Sequence, residues 1–240
     1  MSSVPQAEPE IPLGTSPVEV LSWAADRYPG RIVFTTGFGV EGCALVDMIA
    51  QSAMAIEIAT LDTGLLFPET YELWRKLESR YGIKVRGVKP AQSVAEQAEA
   101  HGERLWEHNP DLCCALRKVE PLGIALEGKD AWVTAIRRDQ TRQRAGSQVV
   151  EPDLARPGRV RINPLVTWTS DDVWAYVRAY DVPVNVLHER GYPSIGCWPC
   201  TSPVAPGEDP RAGRWRGLEK TECGLHTRRE PRLVLALNRR

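Results

Sequence analysis

Short apolar runs rich in β-branched residues alternate along this chain with longer stretches of helical periodicity. Residues 31–35, 56–61, 84–88 and 131–136 read as strands. Ser16-Pro17-Val18-Glu19 supplies a cap, a first-turn proline and a capping-box glutamate. An amphipathic stretch runs from Pro68-Glu69 to about Tyr81, and Ser93-x-x-Glu96 is a second capping box. Thr169-Ser170-Asp171-Asp172 opens a further helix with its acidic residues at the positive end. Its apolar stripe is Val173, Trp174 and Val177, and it should stop before Pro183. Strands alternating with helices imply right-handed βαβ units, hence an α/β fold with a parallel sheet and helices on both faces.

Residues 183–217 hold many of the Pro and Gly residues and show little periodicity, so they read as loops. The expected organisation is a flexible N-terminal tail at 1–13, an α/β domain at 14–203 and a loop-rich C-terminal tail at 204–240. The length of 240 residues suits one large α/β domain or a domain with an appendage. No apolar run approaches the roughly 20 residues of a membrane helix. Met1–Leu13 lacks a secretory pattern, so a cytoplasmic location is expected. A net charge of −1 says nothing about partners, but residues 205–240 carry nine Lys/Arg against five Asp/Glu. That basic stretch is either simply solvated or meets an anion.

The strand at 31–35 runs into Thr35-Thr36-Gly37-Phe38-Gly39-Val40-Glu41-Gly42, and an apolar helix follows. Backbone N–H groups, a helix N-terminus and the hydroxyls of Thr35 and Thr36 could together hold an anion; the turn could equally be structural. The pattern is neither a Walker loop nor a dinucleotide fingerprint. Leu61-Asp62-Thr63-Gly64 ends the next strand and would share its sheet edge, as a ligand contact or a plain turn.

Six cysteines give the sharpest chemistry. A reducing compartment favours metal binding or catalysis over disulfides. Cys113-Cys114 and Cys197-x-x-Cys200 form two close pairs, candidates for zinc or an iron–sulfur cluster. Adjacent helical ligands diverge by about 100°, which favours the bulky cluster. Buried free thiols and a thioredoxin-like Cys197/Cys200 pair are the weaker readings. Lys118 would share the face of Cys114, four residues before it, or else lie on the surface. Cys223 has basic neighbours and a nearby His226, surroundings that activate a thiol, although an isolated tail cysteine is often incidental. Cys43 reads as a packed apolar residue.

Taken together, the Thr-Thr-Gly-Phe-Gly-Val-Glu loop, Leu61–Gly64, Cys113-Cys114-x-x-Arg117-Lys118, Arg137-Arg138-Asp139-Gln140, Gly196-Cys-x-x-Cys200, Arg211-x-x-Arg214-Trp215 and Glu222-Cys-Gly-Leu-His226 are distinctive. The chain resembles the bacterial sulfonucleotide reductases, specifically the assimilatory adenylyl-sulfate reductases. The resemblance implies an adenine-nucleotide alpha-hydrolase-like fold related to ATP pyrophosphatases. It implies a [4Fe-4S] cluster on Cys113, Cys114, Cys197 and Cys200, and Cys223 as nucleophile. Lys118, Arg137, Arg211, Arg214 and His226 would face the phosphosulfate. Thr35, Thr36, Gly37 and Gly39 would take the phosphate or sulfate edge, and Leu61 and Gly64 the adenosine side. The implied partners are adenosine 5′-phosphosulfate and thioredoxin or a glutaredoxin-like thiol donor, in a homo-oligomer, with neither nucleic acid nor membrane. Many adenylyl-sulfate reductases carry serine where Phe38 stands, and this loop is closer to the branch acting on 3′-phosphoadenosine 5′-phosphosulfate. The cluster cysteines point the other way. An RNA-modifying ATP pyrophosphatase would carry a Ser-Gly-Gly-x-Asp-Ser loop, absent here, and a zinc-binding interaction module is the remaining alternative.

Overall fold

Successive side chains of each strand enter opposite cores, and this alternation builds the layers. The computed structural model describes Ile11 and residues 14–226; the expected tail at 1–13 otherwise lies outside the described residues, as does the chain beyond His226. Helix α1 (Pro17–Arg27) has the capping box expected at Ser16 and Glu19. Strand β1 (Ile32–Thr36) sends Ile32 and Phe34 to one face and Val33 to the other. There follow α2 (Val40–Gln51), β2 (Glu57–Leu61), α3 (Pro68–Tyr81), β3 (Val85–Val88), α4 (Val94–His101) and α5 (Leu105–His108). Then come α6 (Pro110–Cys114), a π-turn (Ala115–Val119), α7 (Glu120–Ala125), β4 (Ala131–Val133), β5 (Val150–Pro152), β6 (Val160–Ile162) and α8 (Ser170–Ala179).

The sheet order is β3-β2-β1-β4-β6-β5. Five strands are parallel, as expected, but the edge strand β5 runs antiparallel to β6. Helices α1, α2, α3 and α8 cover one face, and α7 covers the other with Leu122, Ala125 and Leu126. Connections leave β1 toward β2 on one side, whereas β4 lies on its other side. The order therefore reverses between β1 and β4, which opens a crevice at their carboxyl ends.

The structure departs from the sequence reading in three places. β4 stops at Val133, because the Thr134 hydroxyl turns aside to Asn163 Oδ1 at 2.5 Å and Ala135-Ile136 leaves the sheet. β5 and β6 escape a hydrophobic pattern because a buried ion pair, Arg161 Nη2 to Glu151 Oε1 at 2.6 Å, replaces an apolar cross-strand pair. The π-turn sits ahead of Pro121, whose missing N–H and ring obstruct an ordinary helical turn there.

Phe38 has a positive φ of 58° and is only 1% exposed. Its ring stacks on Trp74 at 5.8 Å, and Trp74 stacks on Tyr71. The residue that departs from the serine pattern is thus a core anchor beneath the glycine loop. Phe38→Ala should cost about 3–5 kcal/mol in denaturant unfolding, as removal of a buried aromatic does; a loss below about 1 kcal/mol would show that the stack does not hold the loop.

Candidate active site

Where β1 meets α2, the chain needs room for backbone rather than side chain. Phe38 N–H donates to Thr36 Oγ1 at 2.9 Å, closing the turn. A Cβ on Gly42 would lie 2.3 Å from that oxygen, so only glycine admits the Thr36 side chain there. Gly39 precedes α2 without a side-chain cap, which leaves the first-turn N–H groups open. Thr35 Oγ1 accepts from Trp132 Nε1 at 2.8 Å, tying the end of β1 to β4. These elements border a cavity of about 650 Å³ at the strand-order reversal. Thr35, Thr36, Gly37, Gly39 and Leu61 all line it.

Gly64 does not line the cavity. It sits in the left-handed region with φ +68°, and a side chain there would press on Arg117 Nη2 at 3.2 Å. Arg117 is buried and spans three segments, donating to Thr63 O, to the backbone carbonyls of Gln92 and Ser93, and to Gln97 Oε1. The Asp-Thr-Gly turn thereby becomes a joint to the helix carrying Cys113 and Cys114. The same turn meets the other pair: Thr63 Oγ1 lies 3.3 Å from Cys197 Sγ, and Trp198 N–H donates to Leu65 O at 2.8 Å.

Cys113, Cys114 and Cys197 are buried and Cys200 is half-buried. Burial pushes the Cys114 thiol up to about 12 and the Cys200 thiol up to about 11; Cys113 also shifts upward by burial, then by Cys197. Among the described residues, no group of three or more His, Cys, Asp or Glu side chains is arranged to hold a single metal ion. Cys43 is fully buried, with Sγ facing Phe38 O at 3.6 Å and its thiol shifted upward by burial, so it packs as an apolar residue.

Lys118 is buried and lines the cavity. Burial opposes its charge, but Cys197, Cys223 and Cys114 outweigh burial and raise its pKa. Arg214 passes over Gly196, where a Cβ would lie 2.3 Å from Nη2, and its buried Nε has no hydrogen-bond partner among the described residues. Arg211 and Arg214 both line the cavity beside Cys223, which is half-buried. Arg137 also lines it, but its guanidinium is already committed to Glu41 at 3.0 Å and Asp139 at 2.7 Å. The His226 ring stacks flat on Trp132 at 5.3 Å, and its buried Nδ1 has no hydrogen-bond partner among the described residues. Burial, then Arg144, Arg161, Arg156 and Arg211, drive its pKa well below the usual value, so the imidazole is neutral.

Among the lining residues that sequence reasoning missed are Arg144, Trp132, Glu41 and Gln140. Arg144 carried no signal because residues 141–147 lie in an aperiodic stretch. Trp132 was visible only as a strand residue. Glu41 and Gln140 lay inside quoted motifs but lacked an assigned role; Gln140 Nε2 donates to Glu41 Oε1 at 2.9 Å.

The arrangement gathers a thiol, three cations, a neutral imidazole and an open helix N-terminus around one nucleotide-sized space. The phosphoadenosine phosphosulfate reductase domain matches residues 31–203. An adenosine 5′-phosphosulfate reductase from Bacillus velezensis is 46% identical over 210 residues, spanning 87% of this chain and 90% of that one. A crystal structure of phosphoadenylyl-sulfate reductase from Candida auris, a phosphate complex, has a TM-score of 0.71 and 37% identity over 80% of this chain and 92% of that one. FMN adenylyltransferase from Candida glabrata in complex with ATP shares the fold alone, with a TM-score of 0.57 and 15% identity over 86% and 72% of the two chains. The α/β sheet is therefore of the adenine-nucleotide alpha-hydrolase-like type, and with the domain matching most of its length this chain belongs to the phosphoadenosine phosphosulfate reductase domain family.

Proposed function

We propose that this chain reduces adenosine 5′-phosphosulfate to sulfite, with Cys223 as nucleophile. The observation that carries this reading is the convergence of Cys223, Lys118, Arg211 and Arg214 on one cavity at the strand-order reversal. The Cys223 thiolate attacks the sulfonyl sulfur. The S–O bond to the phosphate breaks, AMP leaves with the electron pair, and an S-sulfocysteine remains. One thiolate of reduced thioredoxin, or of a glutaredoxin-like donor, attacks Cys223 Sγ and expels sulfite. The donor's second thiol then resolves the mixed disulfide, so two thiols are oxidised as sulfur gains two electrons.

Nucleophile and substrate are both anions, so they repel. Lys118, Arg211 and Arg214 offset that repulsion and stabilise charge developing on the leaving phosphate. The open N-terminus of α2, with Thr35 and Thr36 beside it, suits the phosphate edge. A neutral His226 keeps one hydrogen-bond donor without adding charge. The tail holding Cys223 must open for the thiol donor and close for the first attack.

The chemistry of the two cysteine pairs suits a [4Fe-4S] cluster: Arg117 ties the segment after Cys113 and Cys114 to Thr63, whose hydroxyl lies 3.3 Å from Cys197 Sγ. Cys113, Cys114, Cys197 and Cys200 would hold it. Bound there, the cluster would polarise the site beside Lys118 rather than carry electrons.

The preference for the nucleotide without a 3′-phosphate rests on the relatives' names and the cysteine set. The Candida auris enzyme and the Phe38 loop favour the 3′-phosphorylated substrate as second reading. Sulfite release with reduced thioredoxin should be fast on adenosine 5′-phosphosulfate and slower on its 3′-phosphorylated form; the reverse order would install the second reading, and release from neither would end both. Cys223→Ser should abolish turnover while nucleotide affinity changes little. Mass spectrometry of the wild type after one turnover should find one SO3 group on the Cys223 peptide, and an adduct elsewhere would remove Cys223 as nucleophile. The purified protein should be brown and contain iron with acid-labile sulfide, both depleted in Cys114→Ser; a colourless protein with stoichiometric zinc would contradict the cluster.

A further inference from the structure

Glu222 adjoins Cys223 in the chain. Its side chain is only 10% exposed and is gripped by Arg144, itself 11% exposed. Arg144 Nε donates to Glu222 Oε1 at 3.0 Å and Arg144 Nη2 to Oε2 at 2.9 Å, a two-pronged pair. The Thr141 hydroxyl adds a bond to Oε1 at 3.3 Å. Arg211 stands 3.6 Å from Oε2 and donates through Nη2 to Thr221 O at 2.9 Å.

The grip is anchored in the glycine loop. Arg144 Nη1 donates to Gln140 Oε1, Gln140 Nε2 donates to Glu41 Oε1, and Glu41 lies in the first turn of α2. A chain of polar contacts thus runs from the loop that would receive the nucleotide to the residue before Cys223. Two further points flank it. Lys220 pairs with Asp111, three residues before Cys114, and His226 stacks on Trp132. Of the three, the Lys220 pair has an exposed aspartate, at 72%, and is correspondingly weak. The glutamate pair alone is both two-pronged and shielded from water.

We infer that Arg144 and Glu222 form the latch that holds Cys223 over the cavity, and that both are positioning residues for the nucleophile. The inference deepens the proposed function, since it rests on Cys223 being the attacking thiol. With the pair intact, the tail is closed and poised for the first attack. With it broken, the segment from Thr221 to His226 opens, which disfavours attack on the nucleotide but leaves the S-sulfonated thiol accessible to a thiol donor. Breaking one partner also strands a charge in a shielded place, so the closed state loses stability from either side.

Hydrogen–deuterium exchange of the full-length, cluster-containing protein reads the latch without any substrate. Glu222→Gln and Arg144→Gln should each raise exchange across residues 218–226 by about tenfold or more, as loss of a shielded ion pair does. The charge-reversed double variant, Arg144→Glu with Glu222→Arg, should return exchange toward the wild-type level. A merely local packing role would not be rescued by reversal. In single-turnover experiments, Glu222→Gln should slow formation of the S-sulfocysteine adduct, while release of sulfite from the preformed adduct by reduced thioredoxin should not slow. Unchanged exchange in both single variants, or no recovery in the reversed pair, would overturn the latch. If a single variant loses its cooperative melt, Arg144→Lys gives the same comparison: it keeps the charge without the fork, so raised exchange supports the latch and unchanged exchange overturns it. Absence of any adduct in the wild type would instead defeat the role of Cys223 while leaving the exchange result to judge the latch.

Discussion

Lys118, Arg211 and Arg214 bring positive charge to one cavity, Lys118 from a buried position, and buried charge is tolerated only where negative or polarisable partners share the space. That constraint orders the rest. The pKa of Lys118 is raised despite its burial, chiefly by Cys197 and Cys223. Arg211 feels the opposite balance: burial lowers its pKa, Glu222 opposes that, and Arg214 and Arg144 add to the lowering, although a guanidinium stays charged at any working pH. The buried Nε of Arg214 has no hydrogen-bond partner among the described residues. A site with excess, incompletely answered positive charge is prepared for an anion with several oxygens.

The fold supplies this concentration of charge through topology rather than through any one element. The glycine loop comes from the first strand, Lys118 from the helical run after Pro110, and Arg211, Arg214 and Cys223 from the aperiodic tail. They meet because the strand order reverses between β1 and β4 and because two small joints hold the loops together. One joint is Arg117 reaching Thr63, Gln92 and Ser93; the other is the antiparallel bridge between Thr201 and Arg214, which lays the tail along the Cys197 turn. No helix of the described residues is long and apolar enough to cross a membrane.

Local chemistry made much of this legible in the sequence. Capping boxes at Ser16 and Ser93 formed as expected, and the helix expected at Thr169 begins with one too, because the bonds that define them are made within four residues. Strands with alternating apolar residues were visible, whereas β5 and β6 were hidden by the buried Arg161–Glu151 pair. Phe38 was conspicuous as a departure but its burial was not, since its partner Trp74 lies on α3. Arg144 and its grip on Glu222 span 78 residues and follow no motif, so only the folded chain could show them. Gly64 looked like a ligand contact because it ends a strand at the right edge, yet its conformation serves Arg117.

The central claim is that positive charge, rather than adenosine recognition, draws the substrate to Cys223. Equilibrium binding of adenosine 5′-phosphosulfate and of uncharged adenosine to Lys118→Met, compared with the wild type, tests it directly. The account predicts that affinity for the charged nucleotide falls about 10- to 100-fold, the worth of one charged hydrogen bond, while adenosine binds as before. Equal affinity of both proteins for the charged nucleotide would contradict it.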